Sequence, residues 1–272
     1  MIGDPVSHSL SPLIHNAAFV ALELDWVYTA FDVAPTDLTA AIRGAEALGV
    51  EGLSVTMPHK EAVTKLVDSV SATVDRLGAA NTLHRVGKGF RAENTDGDGL
   101  IDALRLDEGF DPADRVCAVI GAGGAGRAVC LALGEAGAKE VVVVNRSAGP
   151  AGAAAALAGR QGRVGTTDEI AGADLIVNCT PLGMAGVAPD AIPVPAECLS
   201  PGQMVVDLVY HPVHTPLLLA AKERGAIPVT GVGMLIHQAG RAFRLWTGEN
   251  APLGAMSAAV VAVLSSGEVK PR

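Results

Sequence analysis

The sequence predicts an α/β protein of two domains, one of them a doubly wound parallel sheet inserted into the other. Three observations carry this expectation. From Arg115 to about residue 230, short apolar runs without alternating polarity are each joined to an alanine-rich helical stretch, as buried parallel strands with crossover helices are. A glycine-rich turn, Gly121-Ala122-Gly123-Gly124-Ala125-Gly126, sits between one such run and the helical stretch after it. The first ~95 residues form a separate mixture of strand and helix patterns, and helical spacing returns after residue 231.

Taken in order, Ser11 before Pro12 reads as an N-cap followed by a first-turn proline, opening a helix that contains Ile14, Ala17, Ala18 and Leu22. Apolar segments at 26–31 and 52–56 read as strands. Parallel strands are expected at 116–120, 140–144, 174–177, 204–209 and 226–229, and the alanine-rich stretch 151–158 suits a helix lying close to a sheet. Met234, Leu235, Ile236, Ala239, Ala242, Phe243 and Trp246 recur at helical spacing, so a helix there is expected to return and pack on the first domain. The apolar run 255–264 includes Ser257, is about half the ~20 residues a membrane helix requires, and is expected to be a buried helix. The domains are therefore expected at 1–97 plus 236–272 and at 98–235.

With 272 residues, 49% of them hydrophobic and 18% charged, the chain has the material for two cores and reads as a soluble globular protein. A formal charge of −9 disfavours nonspecific affinity for nucleic acid or anionic membrane, so an anionic ligand must be met by local cations and backbone amides. Cys117, Cys130, Cys179 and Cys198 show no CxxC spacing, and no basic segment leads into an apolar stretch and cleavage site at the start, so the cytoplasm is expected. His211 and His214 have H-x-x-H spacing, but no third ligand follows and Pro212 breaks helical presentation, so no metal is expected.

The turn at 121–126 fits GxGxxG through Gly121, Gly123 and Gly126 in a strand-turn-helix setting, where backbone N–H groups and a helix N-terminus meet a pyrophosphate. At the end of the next strand stands Asn145-Arg146-Ser147 instead of the acid that holds ribose hydroxyls in NAD-selective sites. An arginine favours a 2′-phosphate, so NADP is the expected cofactor. Elsewhere, Ser54-Val55-Thr56-Met57-Pro58-His59-Lys60, Asn81-Thr82 and Asn94-Thr95-Asp96 supply an ammonium, a carboxylate, hydroxyls and amides. A polyhydroxylated substrate that must lose a proton from one alcohol needs these groups. Paired hydroxyls at Ser9 and Ser11, beside a helix N-terminus, suit a substrate carboxylate.

These blocks, in this order, are Gly3-Asp4-Pro5 with Ser9-Leu10-Ser11-Pro12, Val55-Thr56-Met57-Pro58-His59-Lys60, Gly78-Ala79-Ala80-Asn81-Thr82, Asn94-Thr95-Asp96-Gly97, the glycine turn, Asn145-Arg146-Ser147, Asn178-Cys179-Thr180-Pro181-Leu182-Gly183-Met184, and Gly233-Met234-Leu235 with Gln238. Together they resemble the shikimate dehydrogenase family across nearly the whole chain. The resemblance implies a substrate-binding catalytic domain and an inserted Rossmann-like NADP domain, with 3-dehydroshikimate reduced reversibly to shikimate in aromatic amino acid biosynthesis. It implies that Ser9, Ser11 and Tyr210 hold the shikimate carboxylate, and that Thr56, Lys60, Asn81, Asp96 and Gln238 hold the ring hydroxyls, with Lys60 and Asp96 catalytic. NADP is implied along Gly121, Ala122, Gly123, Gly124, Ala125, Gly126, Asn145, Arg146, Ser147, Thr180, Leu208, Gly231 and Met234.

A carboxylate beside Lys60 favours ammonium, whereas desolvation favours the neutral amine, so both proton exchange and charge stabilisation are open to it. The chain departs from the resemblance at Ser54, where Asn is common, and at Gly149-Pro150, where a further basic residue is common. It also starts at Met1-Ile2-Gly3, where similar proteins carry several more residues of first strand, so either the edge strand is short or the start was chosen downstream. A sister enzyme acting on quinate or an amino analogue fits the same blocks, whereas a non-catalytic nucleotide-binding sensor would keep the glycine turn, and Lys60, Asn81 and Asp96 argue against it. A small-molecule substrate, neither nucleic acid nor membrane, and a monomer or homodimer complete the expectation.

Overall fold

The structure is a computed structural model and describes residues 1–7 and 9–266. The chain divides into two compact units, Met1–Thr95 together with the residues from Ile236 on, and Asp96–Leu235. The last residues of the stretch expected to complete the first domain, 267–272, lie outside the described residues.

In the first unit, β1 (Ile2–Gly3) leads to α1 (Ser11–Ala21). Ser11 is not the N-cap expected for this helix. Leu10 already has helical dihedrals and its carbonyl accepts from Ile14 N, so the helix begins one residue early and the Ser11 hydroxyl caps nothing. Strand β2 (Phe31–Asp32) pairs in parallel with β1, but residues 26–30 of the expected strand are irregular. Their hydrogen bonds go elsewhere: the Asn16 carboxamide takes both Tyr28 N–H and Tyr28 C=O, and Trp26 N–H goes to Leu24.

Helix α2 (Leu38–Ala47) buries Leu38, Ile42 and Ala45, one face of the helix. Then follow β3 (Gly52–Ser54), β4 (Ser69–Val70), α3 (Ala72–Leu77), β5 (Thr82–Val86) and β6 (Gly89–Glu93), in a four-stranded sheet of order β3-β5-β6-β4. Strand β3 stops at Ser54, short of the expected residue 56, with Val55 held by an isolated bridge to Ile2. Leu53, Val55, Leu83, Phe90 and Ala92 pack with Ile2, Leu38 and Ile42 as the core.

The second unit is the expected doubly wound sheet. It begins with α4 (Asp96–Leu106), then β7 (Val116–Ile120), α5 (Gly124–Glu135), β8 (Glu140–Val144), α6 (Ala148–Leu157) and β9 (Gly162–Val164). It continues through β10 (Leu175–Asn178), β11 (Met204–Asp207), α7 (Pro216–Glu223) and β12 (Ile227–Thr230). All six strands are parallel, in the order β12-β11-β10-β7-β8-β9. Along β7, Cys117 and Val119 enter a core with α4, α5 and α6, whereas Ala118 and Ile120 enter one with α7, so both faces are covered. Alanine matters here: Ala151, Ala154 and Ala155 are the buried face of α6, and short side chains let that helix lie against the sheet. Pro228 sits in the edge strand β12, where a missing N–H costs no ladder bond.

Helix α8 (Val232–Thr247) begins in the second unit and ends in the first, where Ile236, Ala239, Ala242 and Phe243 are buried and Trp246 Nε1 donates to Leu83 O at 2.8 Å. Helix α9 (Leu253–Ser266) packs on α1. It was expected to be buried, but only one face is: Met256 and Val260 are covered, whereas Val261 is 54% exposed, because a single neighbouring layer covers one stripe of a helix. Among the described residues no helix is long and apolar enough to cross a membrane.

Truncating Phe243, fully buried and 5.4 Å from the Phe19 ring, is expected to cost about 3–5 kcal/mol of stability. Val261→Ser should change stability by no more than about 0.5 kcal/mol. Denaturant melts of both variants check the contrast, and equal losses would refute this packing of α8 and α9.

Candidate active site

The order reversal between β7 and β10 makes the carboxyl ends of these two strands the natural ligand crevice of the second unit. Gly121 turns the chain there with φ +99°, and a Cβ on it would lie 2.8 Å from Thr180 Cγ2. A Cβ on Gly126 would approach the Gly121 carbonyl to 2.0 Å, so the third glycine lets α5 come against the turn. Gly123 and Gly124 face open space, with no atom within 4 Å of an added Cβ, and no side chain caps α5. An open, uncapped helix start lined by glycine backbone fits a pyrophosphate.

After β8, Asn145 Nδ2 donates to Ser147 O at 3.0 Å and shapes the turn that carries Arg146. Arg146 is exposed, and among the described residues no ion pair or hydrogen bond engages it. After β10, Thr180 donates through N and Oγ1 to Asn178 Oδ1 at 3.0 and 2.7 Å. After β11, Leu208 N–H donates to Asn178 O at 3.1 Å. After β12, Gly231 is buried so close to Leu208 that a Cβ would meet its carbonyl at 2.7 Å. Met234, in the first turn of α8, is buried against the sheet core. The residues expected along the cofactor are thus brought to the carboxyl-terminal edge of one sheet.

In the first unit, Ser9 Oγ accepts from Ser11 N and donates to Ser11 Oγ, both at 3.2 Å, which keeps the two hydroxyls paired. Thr56 is half-buried, tied by its N–H to Ile2 O. Lys60 is half-buried, and its carbonyl accepts from Ala80 N at 2.8 Å. Asn81 is buried. Its Oδ1 accepts from Thr95 N (2.9 Å) and Thr82 Oγ1 (3.0 Å), and its Nδ2 donates to Thr95 Oγ1 (3.0 Å) and to Gln238 Oε1 (3.4 Å). That last bond joins residues 157 apart along the chain.

Asp96 and Tyr210 belong to the second unit. Asp96 is buried at the start of α4, where the helix dipole favours its charge. Tyr210 is half-buried and burial raises its phenol. His211 and His214 are exposed, and no group of three or more His, Cys, Asp or Glu that could hold a metal occurs among the described residues. An open apolar groove of about 840 Å³ in the first unit, lined by Phe19, Trp26, Leu48 and Trp246 among others, includes none of the expected site residues.

Four buried polar residues, three in the first unit and one in the second, were not singled out from the sequence. His59, next to Lys60, is buried with Nε2 at 2.7 Å from Val33 O. Tyr28 donates to Ser54 Oγ at 2.6 Å, and burial raises its phenol above its usual range. His15 stacks on Tyr28 at 4.5 Å, leaves Nδ1 without a hydrogen bond, and has its pKa lowered by burial to about 3. Asp207 is fully buried, and burial raises its carboxyl despite three donors. For Asp207 a signal was available: it is an acid ending an otherwise apolar strand.

The fold and the glycine turn of the second unit define a dinucleotide-binding α/β protein whose first unit carries a polar side-chain cluster. The family model for the shikimate dehydrogenase substrate binding domain matches residues 1–83, that for the shikimate 5′-dehydrogenase C-terminal domain 231–261, and that for coenzyme F420-dependent NADP oxidoreductases 116–211. The chain is 44% identical over 266 residues to "Shikimate dehydrogenase (NADP(+))" of Moorella thermoacetica, covering 94% of this chain and 90% of that protein. Among solved structures, shikimate 5-dehydrogenase from Thermus thermophilus in complex with NADP(H) and shikimate superposes with a TM-score of 0.91 at 38% identity, over 97% and 98% of the two chains. Quinate dehydrogenase from Corynebacterium glutamicum in complex with NAD reaches 0.86 at 33% identity, over 96% and 97%. The chain belongs to the shikimate dehydrogenase family.

The His15 ring has a folded pKa below its unfolded value of 6.5, so the unfolded chain takes up the proton first and stability is lost as pH falls from 6.5 toward about 3. His15→Phe should therefore lose less melting temperature than wild type between about pH 7 and about pH 4. The pH slope carries the test, and identical slopes would contradict a neutral buried His15.

Proposed function

We propose that this protein is an NADP-dependent shikimate dehydrogenase, reducing 3-dehydroshikimate reversibly to shikimate in aromatic amino acid biosynthesis. One observation carries the reading: the glycine turn with its open helix start stands at the switch point of the sheet, in a chain 44% identical over nearly its whole length to an NADP-dependent shikimate dehydrogenase. When bound, the nicotinamide supplies hydride exchange with the substrate.

This chain's residues bind, align and manage a proton. Along the turn of Gly121, Ala122, Gly123, Gly124, Ala125 and Gly126 the pyrophosphate meets the backbone N–H groups of the open helix start, while the Gly121 N–H stays with Val144 O and Gly121 serves the turn. Arg146 takes the 2′-phosphate, between Asn145 and Ser147. Thr180, Leu208, Gly231 and Met234 line the remainder. Ser9, Ser11 and Tyr210 take the substrate carboxylate, and Thr56, Asn81 and Gln238 the ring hydroxyls. Lys60 exchanges the proton of the reacting hydroxyl with help from Asp96, and as an ammonium it also stabilises alkoxide-like charge. The substrate-binding role goes to the unit containing residues 1–95, and the NADP-binding role to 96–235. The four free cysteines support work in the cytoplasm, as a monomer or homodimer acting on a small molecule.

A second reading is quinate dehydrogenase with NAD. It is favoured by the similarity to the Corynebacterium glutamicum enzyme and by Arg146 standing without a second cation at Gly149-Pro150. Comparing kcat/KM for shikimate and quinate with each nicotinamide cofactor separates the two. A nucleotide sensor would bind NADP yet form no NADPH from shikimate.

Lys60→Ala is expected to lower kcat at least about a hundredfold while leaving NADP affinity within about twofold. Near wild-type turnover would remove Lys60 from the chemistry. Arg146→Ala is expected to raise KM for NADP about tenfold or more and to leave KM for NAD nearly unchanged, since one charge-assisted contact is lost. Steady-state kinetics with both cofactors check this.

A further inference from the structure

Strand β11 reads Met204-Val205-Val206-Asp207: a carboxylate ends a buried strand, where hydrophobic residues would be far cheaper to bury. No cation pairs with it among the described residues. Instead its two oxygens take three donors, one from the end of β10 and two from the connection between β11 and α7. Asp207 Oδ1 accepts from Asn178 Nδ2 at 2.8 Å and from Val209 N at 3.1 Å, and Oδ2 accepts from Thr215 Oγ1 at 2.6 Å. Thr215 in turn caps α7 by accepting from Leu218 N.

The direction of the Asn178 amide follows from this. A carboxylate only accepts, so the NH₂ of Asn178 must face Asp207 and its oxygen must face away. That oxygen receives both the N–H and the hydroxyl of Thr180. The hydroxyl proton of Thr180 is therefore committed inward, and Oγ1, which also accepts from Leu182 N at 3.3 Å, is presented as an acceptor. The other arm, through Val209 N, holds the backbone between Leu208 and Tyr210.

We infer that Asp207 is a positioning residue for the part of the cofactor site remote from Arg146, setting the Thr180 hydroxyl through Asn178 and the 208–210 segment through Val209. The inference rests on the NADP reading above. Sheet order makes the division of labour specific: Arg146 follows β8, on one side of β7, whereas Thr180 and Leu208 follow β10 and β11 on the other. Asp207 should thus matter for the nicotinamide half of the ligand and not for the adenosine half.

Asp207→Asn keeps the shape but offers one oxygen and one NH₂. Either Asn178 turns its NH₂ toward the Thr180 N–H, donor against donor, or Thr215 loses its acceptor. Binding of NADPH, followed by its fluorescence, and of adenosine 2′,5′-bisphosphate, followed by calorimetry, is compared between wild type and variant, with melting temperature recorded. NADPH affinity is expected to fall about tenfold and bisphosphate affinity to stay within about twofold, the pattern of a misplaced polar contact at one end of the ligand. Equal losses for both ligands would show a merely structural role, and no loss for either would show none; both overturn the inference. If Asp207→Asn fails to fold, Thr215→Val, which removes one donor and keeps the carboxylate, is read by the same pair of ligands: a loss confined to NADPH supports the inference and any other pattern overturns it. A wild type that binds neither nucleotide would overturn the cofactor reading and this inference together, whereas a wild type that binds both, with an unaffected variant, would overturn this inference alone.

Discussion

The second unit depends on an approach of backbone to backbone that any side chain would prevent. Helix α5 starts directly over the turn leaving β7, with the position of a Gly126 Cβ only 2.0 Å from the Gly121 carbonyl. Because that contact is possible, the helix axis points at the turn, and its first N–H groups open onto the space beside Gly123 and Gly124. The loop after β10 closes against the same turn, again because Gly121 has no Cβ to displace Thr180. A phosphate-binding helix end and the loop that flanks it thus share one steric condition.

Buried polar groups supply a second source of order within each unit. In each unit a buried polar side chain is a node joining several groups: Asn81 in the first, bonded to Thr82, Thr95 and Gln238, and Asp207 in the second, bonded to Asn178, Val209 and Thr215. A buried amide or carboxylate is stable only when its hydrogen bonds are made, so each node narrows the arrangements its neighbours can adopt. The hydrophobic layers alone would tolerate several loop geometries at the strand ends; these nodes select among them.

Family membership and geometry support different parts of the functional reading. Similarity over nearly the full chain to NADP-dependent shikimate dehydrogenases bears on the reaction. The uncapped helix start, the free guanidinium of Arg146 and the thiols pushed out of reactivity by burial at Cys117, Cys130 and Cys179 bear on what this chain itself can do. They fit binding and alignment of an anionic dinucleotide, and burial of those three thiols disfavours the reactive thiolate.

Much of the architecture could be read from local pattern. Uninterrupted apolar runs such as 116–120 and 140–144 form parallel strands because burial on both faces demands hydrophobic residues throughout, and GxGxxG announces a tight turn because only glycine tolerates it. The short runs near 26–31 were less legible: they have strand composition, but whether a backbone joins a ladder depends on its partners, and Asn16 had already taken both groups of Tyr28. The same holds for Ser11, displaced from capping by a helix that started at Leu10, and for α9, whose exposed stripe follows from how many layers cover it. The residues expected to bind ligand were recognisable as chemical types in the amino-acid order. Their support was not: that Asp207 directs Asn178, or that Gln238 meets Asn81 across 157 residues, is set by long-range packing, which no local window of sequence contains.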